Sequence, residues 1–519
     1  MKIRILALDG ISKEGLDVLN RDFSVDEKSR ISEEELLKII PEYDAVLVRS
    51  ATKINRKVLD TGKKLRLVGR AGSGVDNVDA EAATEKGVLV MNVPGGNTLS
   101  ACEHTFAMIL ACLRNIPEAH RSMKEGKWER KKFTGNELNG KKMGIIGLGR
   151  IGSEVAKRAL AFEMKVFGYD PFASAEYGKS LGAELTDLET LLKESDIVTL
   201  HLSLSEKTKG LINKNTLALM KKEAVLVNCS RGAVINEADL HEALKEKRIR
   251  AACLDVFEKE PPENNIFRDL DNVLMTPHLG ASTEEAQERV SLLLAEQVRD
   301  YFLTGKVVSS VNLPIRKMDE KLSAYMELSE KLGSMLVQLN PSLNNIEIVF
   351  SGEVIALEDR KLLVASFFKG VLGRILEEKV NIINSLVLAH RRQISWKEVV
   401  QEEKTEFRGL IGVRTDDFQI YGTRGEKGIR LVQLNDYPVN IVPEGIIILM
   451  GNQDRPGVIG RVATILGESR INIARMEVGR TKPGDQAITC VEVDSSPDEM
   501  ILKEIMSLDA IQWVSRIEL

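Results

Sequence analysis

Residues 143–152, MGIIGLGRIG, constrain this chain more than any other stretch. An apolar run that reads as a buried strand enters a glycine-rich turn and leaves as a helix. Gly147, Gly149 and Gly152 form G-x-G-x-x-G. The first glycine permits the tight turn, the second lets the backbone approach a pyrophosphate, and the third lets helix and strand pack closely. The helix start that follows offers free N–H groups to an anion. Asp170, in VFGYDP, lies 18 residues past Gly152. An acidic residue there accepts hydrogen bonds from an adenosine ribose, and its charge favours NAD over NADP. The turn therefore predicts a parallel, dinucleotide-binding sheet, yet about a quarter of the chain precedes it.

That first quarter alternates strand and helix. Strands are predicted at 3–8, 44–50, 65–72 and 88–94, with helices at 32–43, 54–62 and 80–87. A long apolar helix follows at 97–116, with Asn97 or Thr98 as cap. Beyond the glycine turn, further strands fall at 164–170, 197–202, 224–230, 251–257 and 273–280, and a helix at 282–305. Regular alternation means parallel sheets covered on both faces, so the fold class is α/β with two doubly wound domains. From about residue 318 the pattern changes to a mixed α+β segment. The last stretch, 445–519, reads β-α-β-β-α-β, the order of a small ferredoxin-like module.

Bulk properties narrow the function. A net charge of −5 and a pI near 5.9 argue against general nucleic-acid or membrane-surface binding. No apolar run approaches the roughly 20 residues of a membrane helix. The N-terminus is too short and polar for a signal peptide. Cys102, Cys112, Cys229, Cys253 and Cys490 are odd in number and lack metal-ligand spacing. They read as reduced thiols of a cytoplasmic protein, with no metal site expected.

Oxidising an alcohol with a nicotinamide also requires a base for the hydroxyl proton. The chain has six histidines. His104 reads as a core residue and His120 and His241 as surface positions. His278 stands in TPHLGAST, just after a strand, where open α/β sheets place their ligands. Glu260, in LDVFEKEPP, and Arg231, in NCSRGAVIN, occupy similar ground. A carboxylate beside an imidazole fixes its tautomer and stabilises its protonated form. An arginine can grip a carboxylate at two points. Asp255, at its strand end, is a candidate for holding the nicotinamide carboxamide.

GIIGLGRIG…GYDP, NCSRGAVIN, LDVFEKEP and TPHLGAST together resemble the D-isomer-specific 2-hydroxyacid dehydrogenases over residues 1 to about 315. The resemblance implies a flavodoxin-like substrate domain into which a Rossmann domain is inserted. That explains the late glycine turn. It implies a catalytic set of His278, Glu260 and Arg231, and NAD held by Gly147, Gly149, Arg150, Ile151, Gly152, Asp170, Cys229, Ser230, Asp255 and Gly280. The implied division is 1–96 plus 288–317 for substrate and 97–287 for NAD, followed by 318–443 and 444–519.

VRSATKI, GRAGSGVDNVD and NVPGGNTLSACEHT resemble the phosphoglycerate branch of that family. The branch implies that Ser73, Gly74, Asn97 and Arg231 meet the substrate carboxylate and Arg49 the phosphate. The basic run Arg130, Lys131 and Lys132 is a further contributor, from a partner subunit. The reaction implied is oxidation of the 3-phosphorylated D-hydroxy acid by NAD, opening L-serine synthesis. Residues 318–443 resemble the intervening domain of long-form members, where Arg391, Arg392, Arg424 and Arg430 are candidates for a phosphorylated ligand. Residues 451–476 resemble an ACT module. In such modules subunits pair and bind serine at the joint, which implicates Asn452, Asp454 and Asn472 and a homo-oligomer, dimer or tetramer. Two rivals remain: a general hydroxyacid reductase, separated by its indifference to phosphate, and a nucleotide-sensing co-repressor, separated by peptide binding.

Overall fold

The computed structural model describes residues 2–29, 31–313, 319–340, 343, 345–402, 405–426 and 428–519. The expected boundary at 317/318 lies outside them.

Five short strands form the first sheet: β1 (Arg4–Leu8), β2 (Ser24–Lys28), β3 (Ala45–Val48), β4 (Leu67–Arg70) and β5 (Leu89–Asn92). All pair in parallel, in the order β2-β1-β3-β4-β5, the flavodoxin-like winding. β3 is AVLV and fully buried, the continuous apolar run of a strand covered on both faces. Two elements were not expected. β2, SVDEK, is a polar edge strand without a buried residue, so it carries no apolar period. Helix Lys13–Asn20 holds Gly15 near its start. A Cβ on Gly15 would lie 2.9 Å from the Ser291 carbonyl oxygen. The glycine that weakens the helical signal is what lets the two helices touch.

Ser291 belongs to helix Glu284–Thr304, which returns the chain to this first sheet. Val290, Leu294, Ala295 and Val298 share one core with Ile5, Leu19, Leu47, Leu67 and Leu89. Asn312 then fastens the chain along β5, accepting from Val90 N–H at 2.9 Å and donating to the Val88 carbonyl at 2.9 Å.

Between these two contributions lies a seven-stranded parallel sheet. Its strands are β6 (Lys142–Ile146), β7 (Lys165–Tyr169), β8 (Glu184–Leu185), β9 (Ile197–Leu200), β10 (Val225–Asn228), β11 (Ala251–Leu254) and β12 (Val273–Met275). The order is β12-β11-β10-β9-β6-β7-β8. Strand order reverses between β6 and β9, and ligands bind doubly wound sheets at that switch point. Helix Thr98–Leu113 packs on helix Arg150–Ala161 and on β10 and β11.

The C-terminal part holds two further sheets. Helices Glu320–Leu339 and Arg360–Ile375 pack closely. A Cβ on Gly333 would collide with the Phe367 carbonyl, and one on Gly370 with that of Glu330. With them goes a six-stranded sheet: β13 (Ile346–Gly352), β14 (Trp396–Gln401), β15 (Gly409–Arg414), β16 (Gln419–Gly425), β17 (Gly428–Leu434) and β18 (Tyr437–Ile441). Last come β19 (Ile446–Gln453), β20 (Ile473–Arg480), β21 (Gln486–Val493) and β22 (Ile511–Glu518), antiparallel in the order β20-β21-β19-β22, with helices Val458–Glu468 and Glu499–Met506. This is the β-α-β-β-α-β module read from the sequence. No described helix is long and apolar enough to cross a membrane.

Candidate active site

The residues singled out from strand ends converge between the first two sheets. His278 follows β12 in a left-handed backbone conformation, φ 56°. Its N–H donates to the Asp255 carbonyl at 2.8 Å. Its Nδ1 lies 2.7 Å from Glu260 Oε2, which leaves Nε2 as the nitrogen turned to other work. Glu260 hydrogen-bonds the imidazole and raises its pKa above the ordinary histidine value. Burial and the Arg231 charge oppose that rise, while Asp255 adds to it.

Asp255 ends β11 and is fully buried. Its Oδ1 accepts from Thr276 Oγ1 at 2.5 Å and Leu279 N–H at 2.7 Å, and its Oδ2 from Gly280 N–H at 2.9 Å. His104 Nε2 approaches Oδ1 at 3.1 Å. Burial opposes its charge, but the bonds from His104, Thr276 and Leu279 outweigh that and lower its pKa. Asp255, the candidate for holding the nicotinamide carboxamide, has both carboxylate oxygens bonded within the protein. Its bonds from Thr276, Leu279 and Gly280 fasten the turn that carries His278. His104, read as core, is one of its partners. His104, Cys229 and Asp255 bring a nitrogen, a sulfur and a carboxylate oxygen within 4.8 Å of one another. Burial pushes the Cys229 thiol up to about 12.

Arg231 crosses from the end of β10 to the loop after β4. Its Nε pairs with Asp76 Oδ2 at 3.1 Å, and its Nη1 donates to the Ser230 carbonyl at 2.7 Å. A Cβ on Gly74 would collide with its Nη2. Behind it, buried Asn228 accepts from Ser230 N–H at 3.0 Å and Ser230 Oγ at 2.8 Å and donates to the Arg231 carbonyl at 3.0 Å. Ser73 Oγ donates to Asn97 Oδ1 at 2.8 Å. Arg49 is tied to the returning helix through Gln287 Oε1 at 3.3 Å.

A cavity of about 290 Å³ has Arg49, Arg70, Gly72, Asn97, Glu260 and His278 in its wall. Arg70 was not anticipated. It ends β4, its side chain lies over Gly72, and its buried Nε finds no hydrogen-bond partner among the described residues. Burial first, then the nearby Arg231 and Arg49, pull its pKa down to about 10. Two guanidiniums, Arg49 and Arg70, thus line one small cavity with Arg231 nearby, a concentration of positive charge that suits an anion.

The glycine turn fits a dinucleotide. Gly147 has φ 94°, and a Cβ there would lie 2.5 Å from the His201 carbonyl oxygen. A Cβ on Gly152 would collide with the Gly147 carbonyl, while Gly149 faces open space. Helix Arg150–Ala161 starts there without a side-chain cap, so its first N–H groups face outward. Asp170 sits beside the turn and accepts from Leu148 N–H and Phe172 N–H, each at 2.9 Å. Half-buried Ile151 packs behind the turn, and Gly280 is bonded through its carbonyl to Ser100 Oγ at 2.9 Å.

Residues 106–280 match the D-isomer specific 2-hydroxyacid dehydrogenase NAD binding domain, 321–435 the D-3-phosphoglycerate dehydrogenase intervening domain, and 446–510 the ACT domain. D-3-phosphoglycerate dehydrogenase of Methanocaldococcus jannaschii is 42% identical, with 100% of both chains aligned. The chain belongs to the D-3-phosphoglycerate dehydrogenase family. The family member of Bacillus subtilis is 39% identical over 99% of each chain. Among solved structures, one from Thermus thermophilus covers 60% of this chain and 100% of its own at TM-score 0.55 and 33% identity. D-lactate dehydrogenase of Escherichia coli does so at 0.54 and 27%. The family's NAD-binding domain and ACT domain account for two of the sheets described above.

Other expected residues do not gather so neatly. Arg130, Lys131 and Lys132 form an exposed single turn and line neither wall of the cavity. Arg424 and Arg430 share a larger cavity, about 770 Å³, with Arg408 and Glu353. Arg391 instead pairs with Glu85 at 2.6 Å, on the first domain, and Arg392 is exposed. In the ACT module Asn452 is 2% exposed. Its side-chain oxygen accepts from Thr489 Oγ1 at 2.7 Å, and its nitrogen donates to the Gln453 carbonyl at 3.0 Å. Within one chain the Asn452 side chain is turned into the module. Asp454 is held by Gly484 N–H at 3.0 Å and Arg480 at 2.7 Å. Exposed Asn472 bonds Asp494 at 2.6 Å. It precedes β20 beside Val493, whereas Asn452 pairs with Ala487. Six ladder positions separate the two ends, on the order of 20 Å. One chain does not bring Asn472 to Asp454.

Proposed function

We propose that this chain oxidises D-3-phosphoglycerate to 3-phosphohydroxypyruvate with NAD, the step that commits carbon to L-serine. The observation that carries the reading is the cavity in which Arg49 and Arg70 stand with the His278–Glu260 pair, with the Arg231 charge close enough to act on both Arg70 and His278. An unphosphorylated hydroxy acid has one anionic group and leaves that much positive charge unmatched. NAD, seated on the Gly147–Gly152 turn, supplies the hydride acceptor.

The chain's own groups do the rest. Arg231, from beside Gly74, grips the carboxylate and so aims the C2 hydroxyl at His278. Ser73, Gly74 and Asn97 complete that end. Arg49 and Arg70 take the phosphate. His278 Nε2 removes the hydroxyl proton, because Nδ1 is committed to Glu260. Glu260 stabilises the imidazolium so formed, and in the reverse direction the same imidazolium returns the proton. Asp255 holds the turn that fixes the imidazole. Residues 1–96 with 288–317 build the substrate domain and 97–287 the nucleotide domain. The ACT module is a site for an amino-acid effector, L-serine, at a joint between subunits of a cytoplasmic homo-oligomer. The separation of Asn472 from Asp454 within one chain supports a shared joint.

The test is NAD reduction with D-3-phosphoglycerate beside D-glycerate and D-lactate, with and without L-serine. Turnover confined to the phosphorylated acid is the expected result. Turnover confined to the unphosphorylated acids overturns the assignment.

A further inference from the structure

The loop that carries Glu260 rests on the segment that carries Arg231. A Cβ on Gly232 would collide with the carbonyl of Phe257, so the two backbones are in direct contact. One step further along, Glu258 N–H donates to Glu237 Oε1 at 2.6 Å. Glu237 is the first residue of helix Glu237–Lys245, whose start is fixed by an Asn236 cap on Asp239 N–H at 3.1 Å. Within the loop, Phe257 N–H donates to Glu260 Oε1 at 3.1 Å, while Glu260 Oε2 faces His278 Nδ1. Each Glu260 oxygen thus has a separate task, and both depend on where residues 257 and 258 sit.

We infer that Glu237 is a positioning residue for the acid–base pair: its carboxylate pins the Phe257–Glu260 turn so that Glu260 Oε2 meets His278 Nδ1. Glu237 and Arg231 lie on one short segment, so the same bond sets the pair's place relative to the arginine. The inference rests on the reading of His278 and Glu260 as that pair. The charged groups facing His278 are Glu260, Asp255 and Arg231, and the one facing Glu237 is Glu258. Burial raises the Glu237 pKa, the bond from Glu258 N–H opposes the rise, and the Glu258 charge adds to it. Freed from Glu237, the loop lets Glu260 drift from the imidazole. The support that raises the His278 pKa weakens, and the pH at which His278 becomes a base falls.

The experiment uses the full chain with E237A, E237M (similar length, no acceptor) and E237Q, whose amide oxygen can still accept from Glu258 N–H. In E237A and E237M the acid-side midpoint of kcat/KM moves to lower pH. kcat falls about ten-fold, part of what acid–base catalysis contributes, and KM stays within about two-fold. E237Q returns the midpoint and kcat toward the wild-type values. The His278 imidazole is also titrated directly by NMR of ¹³C-histidine-labelled protein, assigned with H278N. An unchanged His278 midpoint in both E237A and E237M overturns the inference, whatever happens to rate or thermal stability. The NMR titration needs no turnover. A wild-type chain inactive on D-3-phosphoglycerate therefore refutes the proposed reaction without deciding the role of Glu237.

Discussion

Replacing Arg70 with methionine separates stability from function at a single side chain. Methionine keeps length and apolar contact but removes the charge. In the free protein Arg70 is a liability. Its buried Nε has no partner, and its pKa is pulled down to about 10 by burial and by Arg231 and Arg49. At ~1.4 kcal/mol per pKa unit that displacement bounds the penalty near 3 kcal/mol. Water reaching the cavity side of the guanidinium reduces it to about 1–2 kcal/mol. R70M should therefore unfold at higher temperature than wild type in phosphate-free buffer. With substrate the sign reverses, because a charge-assisted bond to a phosphate oxygen contributes about 1.5–3 kcal/mol. KM for D-3-phosphoglycerate should rise about 10- to 150-fold, and the thermal stabilisation given by that ligand should shrink with it. Thermal denaturation with and without ligand, beside initial rates, measures both halves. A variant less stable than wild type when free, or with an unaltered KM, would refute the account of Arg70 as an unpaired phosphate seat.

Glu260→Gln should lower the His278 pKa. The acid limb of oxidation then moves to lower pH while kcat drops about 10- to 100-fold, as a pH series of initial rates will show. The sign for stability follows: a histidine raised by its partner stabilises the fold below its unfolded pKa, and the contribution fades as pH rises through the folded value. Gly152→Ala drives a methyl into the Gly147 carbonyl. It should weaken NAD binding at least ten-fold in a fluorescence titration, and unchanged affinity would count against the turn as the pyrophosphate seat. Glu85, bonded first by Arg56 and then by Arg391, has its pKa lowered to about 2. Its contribution is complete above the unfolded carboxylate pKa and is lost as pH falls toward 2. Hydrogen-exchange protection in helix Ala80–Glu85, corrected for the intrinsic rate at each pH, should fall on acidification and in R391A at neutral pH; equal protection in wild type and R391A would argue that the pair does not dock the two domains.

The parts of the site readable in advance were those that depend on local order. A strand, a glycine turn and a helix start announce themselves within ten residues. Arg231, Glu260 and His278 follow strands, and ligands gather at strand ends. The same rule covers Arg70, the last residue of β4, which went unmarked among the glycines of its loop. Its significance is an unpartnered Nε, and that depends on what arginines from other strands do nearby. Asp255 obeys the rule yet faces inward, since Thr276, Leu279 and Gly280 return over it. Asn452 and Asn472 sit in a recognisable module, but sheet register put them at opposite ends, and register is set by pairing across the sheet. Glu237 lies one position past NCSRGAVIN. Nothing in its own neighbourhood points to a loop twenty residues away.

The returning helix Glu284–Thr304 bears on how the protein is made. The five-stranded sheet is encoded by residue 92, but the helix whose Val290, Leu294 and Val298 cover its core is not. Roughly 200 residues of the inserted domain must leave the ribosome first, which at ~5–20 residues per second takes on the order of 10–40 s. Throughout that interval the side of the sheet bearing Ile5, Leu47, Leu67 and Leu89 has helix Lys13–Asn20 but lacks the rest of its cover. Nascent chains are therefore most exposed to chaperones and to one another while the nucleotide domain is still being translated, and a chain released at that stage would carry a first sheet still open and a second still incomplete.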